Sequence, residues 1–433
     1  AESSKSQLDL LDLERDNLSA IYQRELAATG PGPRALQATL ALDPVLGLRG
    51  PYQVHLQMLD GGLQKLGSDR RLRAAGLEAR VRARQARGRT AEAEADCTEV
   101  LALSQDLADR GLEGRAEIYL GLIDRVKGQR GDARRRLTRA LALLERVGDH
   151  RMRGRALSNM AVLLHEMGNE TEALERYNEA LEIHREVLDR LYEGVTLANL
   201  GVQQQALGLL KPAKANYTAA LGIHRELGNR RSEGISHINL GDLNADLEQP
   251  GQSRAHYESA LAILRDVGAR RFEGVALASL ASLHQQYGEL DDAERRYLEG
   301  IALLQEVRDQ RHEGMAQAGL AAVEAIKLDL PAAEERMAEA TRLLTESGDA
   351  GSLDTLDVYR AHLELGHALQ TRSEHQAGVL EERIRKRIAH AEEGGAPDDA
   401  HPTGSPSPSA RSEHVRAALR SLKGALVDCG KDA

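Results

Sequence analysis

Six glycines, Gly114, Gly154, Gly194, Gly234, Gly274 and Gly314, are spaced by 40 residues without a slip. Other columns keep the same phase: Leu120, Met160, Leu200, Leu240, Leu280, Leu320; Gly121, Ala161, Gly201, Gly241, Ala281, Ala321; Leu137, Tyr177, Tyr217, Tyr257, Tyr297, Met337; and Ala140, Ala180, Ala220, Ala260, Gly300, Ala340. A period of this length is the signature of an array. Each copy is one small unit that cannot bury its apolar face alone, and stacking the copies makes the core. Residues 71–110 form an earlier copy, with Arg80, Gly88, Ala93, Cys97 and Leu101 in their columns, and 351–390 a degenerate later one. Terminal copies of an array face solvent on one side, so weaker spelling is expected there.

Within a copy the apolar spacing is that of an α-helix. Ala156, Leu157, Met160, Ala161 and Leu164 line one stripe, and Ala173, Tyr177, Ala180, Leu181 and His184 a second, both following i, i+3, i+4, i+7. Glycines at 128, 168, 208 and 288 fall where the first helix must end, a place that favours the left-handed conformation. Small residues in the Gly121 and Ala140 columns let neighbouring helices approach closely. Composition agrees: the chain has no Trp, and Phe272 is its single Phe. The expected core is therefore Leu and Ala between tightly packed helices.

Three copies read ALSNMAVLLHEMGNETEALERYNEALEI, TLANLGVQQQALGLLKPAKANYTAALGI and ALASLASLHQQYGELDDAERRYLEGIAL. This spelling resembles the tetratricopeptide repeat family over residues 71–390. The usual period of that family is ~34 residues; the present one resembles the longer-helix subclass of kinesin light chains, LGN-type adaptors and many bacterial signalling regulators. The resemblance implies an all-α fold, a right-handed α-solenoid of antiparallel helix pairs. It also implies a non-catalytic scaffold that binds a protein or peptide in a concave groove.

The ends divide off by composition. Residues 1–33 are an N-terminal helical segment, with Leu8, Leu11, Leu18, Ile21 and Tyr22 as its apolar set, closed by the breaker TGPGP. Residues 34–70 are a divergent helix pair. Residues 391–412 are rich in Pro, Gly, Ser and acid and are expected to be disordered, with a short helix or tail over 413–433. The stretch LLDLERDNLSAIYQREL resembles the segment that joins a nucleotide-binding switch to its repeats in signal-transducing ATPases and bacterial transcriptional regulators. The chain also begins with Ala1 rather than Met, as a piece of a larger protein would. The alternative function is therefore the ligand-sensing or regulatory region of such a protein.

Net charge is −10, which argues against general nucleic-acid binding, since that requires a basic surface. Cys97 and Cys429 are too far apart in sequence to form a ligand or redox motif, and two cysteines in a chain of this length fit a reducing, cytoplasmic compartment. No apolar run reaches the length of a membrane span. There is no P-loop, no GxSxG, no HExxH and no CxxC, so no enzyme activity, cofactor or metal is expected. Carboxylates are expected on solvated helix faces. So are the Arg-rich stretches 70–89 and 130–146, with Glu92, Glu94 and Asp132 as charge partners. His184 and His224 stand where other copies have Leu144, Leu264 and Leu304, and should pack rather than ligate.

One polar column stands out. Asn159, Asn199 and Asn239 recur at a single first-helix position, followed by Ser279 and preceded by Tyr119. Arg155, Asn159, Val162 and Glu166 share a line beside the buried stripe, and Val202, Asp242 and Ser282 follow Val162 in register. The resemblance places this line on or beside the groove. A carboxamide donates and accepts, so it can pair with the backbone of an extended peptide whatever its side chains. The alternative is that Asn bridges neighbouring repeats. The candidate groove residues are thus Arg155, Asn159, Val162, Asn199, Val202, Asn239, Asp242, Ser279 and Ser282. The expected partner is a protein or peptide, with neither nucleic acid nor membrane involved.

Overall fold

Helices of 17 residues recur every 20 residues through the middle of the chain, which is why the sequence period is 40. The computed structural model describes residues 2–347, 356, 359–364, 366 and 367, and among them there is no β-strand. The helices are α1 Glu2–Leu13, α2 Arg15–Ala27, α3 Pro33–Arg49, α4 Tyr52–Lys65, α5 Arg70–Ala86, α6 Thr90–Asp106, α7 Arg110–Val126, α8 Arg130–Val147 and α9 His150–Glu166. They continue with α10 Glu170–Glu186, α11 Arg190–Ala206, α12 Leu210–Glu226, α13 Arg230–Asp246, α14 Pro250–Asp266, α15 Arg270–Gln286, α16 Leu290–Glu306, α17 Gln310–Ile326 and α18 Leu330–Glu346. At 1.5 Å per residue each repeat helix is about 25 Å long. The chain is all-α, and consecutive helices pack as pairs.

The chain divides into two compact units. The first comprises Ala1–His165, Asn169–Asn199 and Ala219–Glu233; the second comprises Glu166–Gly168, Leu200–Thr218 and Gly234 onward. In the first unit α3 packs on α4, α5 on α6 and α7 on α8; in the second α15 packs on α16 and α17 on α18.

The turns explain the strict spacing. After α7, Gly128 takes φ +76° and the chain closes a Schellman motif: the Gln129 N–H donates to the Asp124 carbonyl at 2.8 Å and the Gly128 N–H to the Arg125 carbonyl at 3.0 Å. The same left-handed residue recurs every 20 residues, and not always as Gly: Leu188, Glu248, Arg308 and Leu328 hold φ of 54° to 62°. On the other side of several turns an Asp caps the next helix. Asp69 accepts from the Leu72 N–H and Asp109 from the Leu112 N–H, both at 2.9 Å.

The glycine column marks one close helix contact. A Cβ on Gly154 or Gly194 would lie 2.9 Å from the His184 or His224 ring, and on Gly234, Gly274 or Gly314 it would lie 2.7 to 2.8 Å from Leu264, Leu304 or Leu344. A second close contact has Gly201 and Gly241 on the faces of Tyr217 and Tyr257, with Cβ distances of 2.6 and 2.5 Å. Ala140, Ala180, Ala220 and Ala260 are completely buried, as their column requires. His184 and His224 are buried too, and burial pushes both imidazoles down to about 4, so they pack as neutral rings at neutral pH.

The N-terminal segment is helical as α1 and α2, with a turn at Glu14, and the buried Tyr22 donates its hydroxyl to the Gln57 carbonyl at 3.2 Å. Two expectations are corrected. The Arg-rich stretch of α5 is not a simple solvated face. Arg80 and Arg84 have largely buried side chains and both pair with the buried Asp96, at 2.7 and 2.6 Å. Nor are all carboxylates solvated. Glu193, Glu233, Glu273 and Glu313 are buried just ahead of the glycine column. One oxygen of each accepts from the preceding second helix, from Arg185, Arg225, Arg265 or Gln305 at 2.8 to 3.1 Å. The other oxygen of the first three accepts from Arg190, Arg230 or Arg270 at 2.5 to 3.1 Å. This clamp links one copy to the next.

The end of the array is only partly described. Leu356 and Tyr359 join Met337, Ala340 and Leu344 in one cluster. The rest of the copy expected at 351–390, the linker expected at 391–412 and the short helix expected after it lie outside the described residues.

Candidate functional site

In the first unit the candidate line sits on α9 and α11. Arg155, Asn159, Val162 and Asn199 are all half-buried, beside fully buried core positions. The Arg155 guanidinium lies 3.9 Å above the Tyr192 ring and donates to Asp189 at 2.8 Å. Further along the same unit, Arg82 donates to the Tyr119 hydroxyl at 3.2 Å and to Asp43 at 2.7 Å. The line thus sets carboxamides beside guanidinium groups that already pair with Asp189 and Asp43.

In the second unit Asn239, Asp242, Ser279 and Ser282 are half-buried, and Val202 is exposed. Asp242 accepts from the Tyr257 hydroxyl at 2.6 Å, and Ser279 gives it a second hydrogen bond. One turn on, Asp246 accepts from the Gln205 amide at 2.7 Å. Sequence reasoning named Asp242, Ser279 and Tyr257 without connecting them, and missed Asp246. The only available signal was the Tyr column itself, whose hydroxyls at Tyr217, Tyr257 and Tyr297 all reach first-helix side chains.

Among the described residues no hydrogen bond ties the carboxamides of Asn159, Asn199 or Asn239 to any neighbour.

Burial, reinforced by Asp246, pushes the Asp242 carboxyl up to about 6 against the pull of Tyr257 and Ser279. An unfolded Asp titrates near ~3.9, so the folded chain holds this proton more tightly. The resulting stability is fully present below pH about 4 and is lost as pH rises through about 6. Asp242→Asn keeps an acceptor for Tyr257 and has nothing to ionise. Its melting midpoint should exceed that of the unsubstituted chain at pH 7–8, and the gain should vanish at pH 4. Melts across that range check this; a difference independent of pH would contradict it.

His284, Glu289 and Asp292 bring three donor atoms within 4.8 Å of one another, the geometry of a possible metal site. Other groups already use them. His284 hydrogen-bonds Glu289, Arg254 donates to both oxygens of Glu289 at 2.9 and 2.7 Å, and Arg295 pairs with Asp292. The His165–Glu170 pair, at 3.0 Å, also spans five residues across a helix turn. The His284 cluster is a turn staple. Cys97 is buried, and burial pushes its thiol up, so it is a packing residue rather than a nucleophile. No described helix is long and apolar enough to cross a membrane.

The family model for tetratricopeptide repeats matches residues 114–186 and 152–226. That for anaphase-promoting complex subunit 5 matches 234–324. No curated protein sequence matches the chain. Among solved structures, a Rap protein complexed with Competence and Sporulation Factor superposes with a TM-score of 0.55 at 15% identity, covering 88% of this chain and 99% of that one. The APC/C hetero-tetramer Cut9-Hcn1 gives 0.53 at 16% identity, covering 79% of this chain and 62% of the matched one. At such identities the likeness is one of fold, and it is the α-solenoid fold that the helix pairs and the 40-residue columns build. Residues 114–226 match the tetratricopeptide repeat model, and the chain shares the α-solenoid fold of these structures.

Proposed function

We propose that the chain is a non-catalytic scaffold, set in the cytoplasm, that holds an extended segment of a partner protein or peptide along its first helices. Each unit lends its own strip: Arg155, Asn159, Val162 and Asn199 in the first, and Val202, Asn239, Asp242, Ser279 and Ser282 in the second. The observation that carries the reading is the Asn column. Carboxamides recur at half-exposed positions and no described hydrogen bond occupies them. A folded chain gains little from such groups, whereas a peptide backbone can use both their donor and their acceptor. Complexes with protein or peptide partners in two structures of the same fold are consistent with this role.

The test is the double variant Asn159→Ala/Asn199→Ala, with Asn239→Ala alone as the probe of the second unit. Affinity is measured toward a partner recovered from the native host, alongside melting. Each neutral hydrogen bond contributes about 0.5–1.5 kcal/mol net, so the double variant should bind about tenfold more weakly. Its midpoint should stay near that of the unsubstituted chain. A collapse of the melt would return the Asn column to a structural role. Unchanged affinity in both variants would move the site off this face.

A further inference from the structure

The turn from α11 to α12 departs from the other turns of the array. It exposes two leucines together, Leu207 and Leu209. Lys211 and Lys214 follow, both exposed and three residues apart on one face of α12. Among the described residues neither lysine takes part in an ion pair or hydrogen bond. By contrast, Lys127 pairs with Glu94 at 2.6 Å, and Lys327 with Asp291 and Glu294 at 2.7 Å. Lys211 also stands in the first turn of its helix, where the dipole favours acid. The first turns of α6, α8, α10 and α16 carry Glu92, Asp132, Glu170 with Glu172, and Asp291 with Asp292. Folding of α12 therefore gains nothing from a lysine at this place, and its charge is left for another use.

A second surface is its complement. Helical hydrogen bonds carry α1 into α2 across Glu14: the Glu14 N–H donates to the Leu10 carbonyl at 3.2 Å and the Leu18 N–H to the Glu14 carbonyl at 2.9 Å. Residues on the two sides of the turn thus keep one helical phase. Leu10, Leu13 and Ile21 fall on a single stripe and are 59%, 78% and 37% exposed. Glu14 and Asp16 lie exposed along it. The Glu14 carboxylate accepts from Asn17, and Asp16 has no ion-pair partner among the described residues. This stripe is apolar like the leucine pair at the α11–α12 turn, and opposite to it in charge.

We infer that the chain associates with a second copy of itself, the stripe of Leu10, Leu13 and Ile21 on one copy seating on Leu207 and Leu209 of the other. Lys211 and Lys214 then face Glu14 and Asp16. Burial of the leucines supplies the attraction, and the charges set the orientation. The occupant is a second copy because both halves of the contact are present on this one chain, each exposed and each carrying charge that the fold leaves unused. The two surfaces differ, so every copy offers one of each, and the contact closes reciprocally or runs on from copy to copy.

The experiment is sedimentation velocity of the full chain over rising concentration, at low and high salt. Mass should rise with concentration, and less steeply at high salt, where exposed charges are screened. Lys211→Glu/Lys214→Glu and Glu14→Lys/Asp16→Lys should each weaken association at least about tenfold, because like charges then meet. All four side chains are exposed, so melting midpoints should stay near that of the unsubstituted chain. The decisive arm mixes the two variants. Each reversed surface then finds a reversed one and each unaltered surface an unaltered one, so association should return. Leu10→Ser/Leu13→Ser should weaken association with every charge in place, which separates a seated stripe from a general attraction of charge. Should reversal near α2 disturb the fold, Glu14→Gln/Asp16→Asn takes its place among the single variants and should also associate more weakly. A chain that stays monomeric at every concentration would overturn the inference. So would variants of either surface that associate as the unsubstituted chain does, or a mixture of the two reversed variants that does not recover.

Discussion

Ala180→Arg is expected to lower stability by about 3 kcal/mol or more, among the largest effects of any single substitution in the array. Ala180 is completely buried and packs against Leu157 and Ile183, where α10 meets α9. A guanidinium there must either push the helices apart, losing the Leu157 contact, or remain buried without a partner. Neither can be relieved by a rotamer change, because the side chains around it belong to the core. Glu182, two residues on, is exposed, so Glu182→Arg is the matched control and should shift stability by no more than about 0.5 kcal/mol. Denaturant and thermal melts of the two variants check the pair. Equal midpoints would mean that the small column is not an interior column. In an array the loss should also be local at first, with hydrogen exchange rising in α9 and α10 before the rest of the first unit.

What could be read from the sequence follows from where each interaction keeps its information. The buried stripes, the small columns and the turn glycines each reside in one residue type at one phase, so a 40-residue comb reveals them. The packing role of His184 and His224 was legible because Leu fills the same place in other copies. The buried Glu clamp was periodic as well, but its meaning lies in a pair. Glu233 is buried because Arg225, eight residues earlier on another helix, reaches it; a carboxylate alone reads as a solvated face. The left-handed turns at Leu188 and Glu248 were hidden because nothing in those side chains signals positive φ. The environment of Asp242 depends on Tyr257 and Ser279 arriving from two other helices, which no spacing rule within one helix supplies. The Asn column could be located from sequence. That its carboxamides take part in no described hydrogen bond could be learned only from the fold.

Gly274→Val should be comparably severe, costing about 2–4 kcal/mol, and the sign follows from weighing two opposed effects. Gly274 lies inside α15 with ordinary helical geometry, where replacing Gly by a residue with a side chain normally gains up to ~1 kcal/mol in helix propensity. Against that, a Cβ at this position would stand 2.8 Å from Leu304 Cγ and 3.1 Å from the Gly300 carbonyl oxygen. A side chain such as Leu304 can rotate, but the Gly300 carbonyl is part of α16 and moves only with the helix. The steric term should therefore win, and by more for Val than for Ala. A double-mutant cycle separates the two obstacles. Leu304→Ala alone opens a cavity at a fully buried site and should cost about 2–5 kcal/mol. In the Gly274→Val background the same truncation makes room, so its cost should fall by about 1–3 kcal/mol. If the two costs simply add, Leu304 is not what excludes a side chain here, and the limit is the backbone approach of α15 to α16 at Gly300. Gly314, whose Cβ would meet Leu344 at 2.8 Å with no backbone atom among its nearest neighbours, then serves as the comparison: Val should be rescued by Leu344→Ala there even if it is not rescued at Gly274.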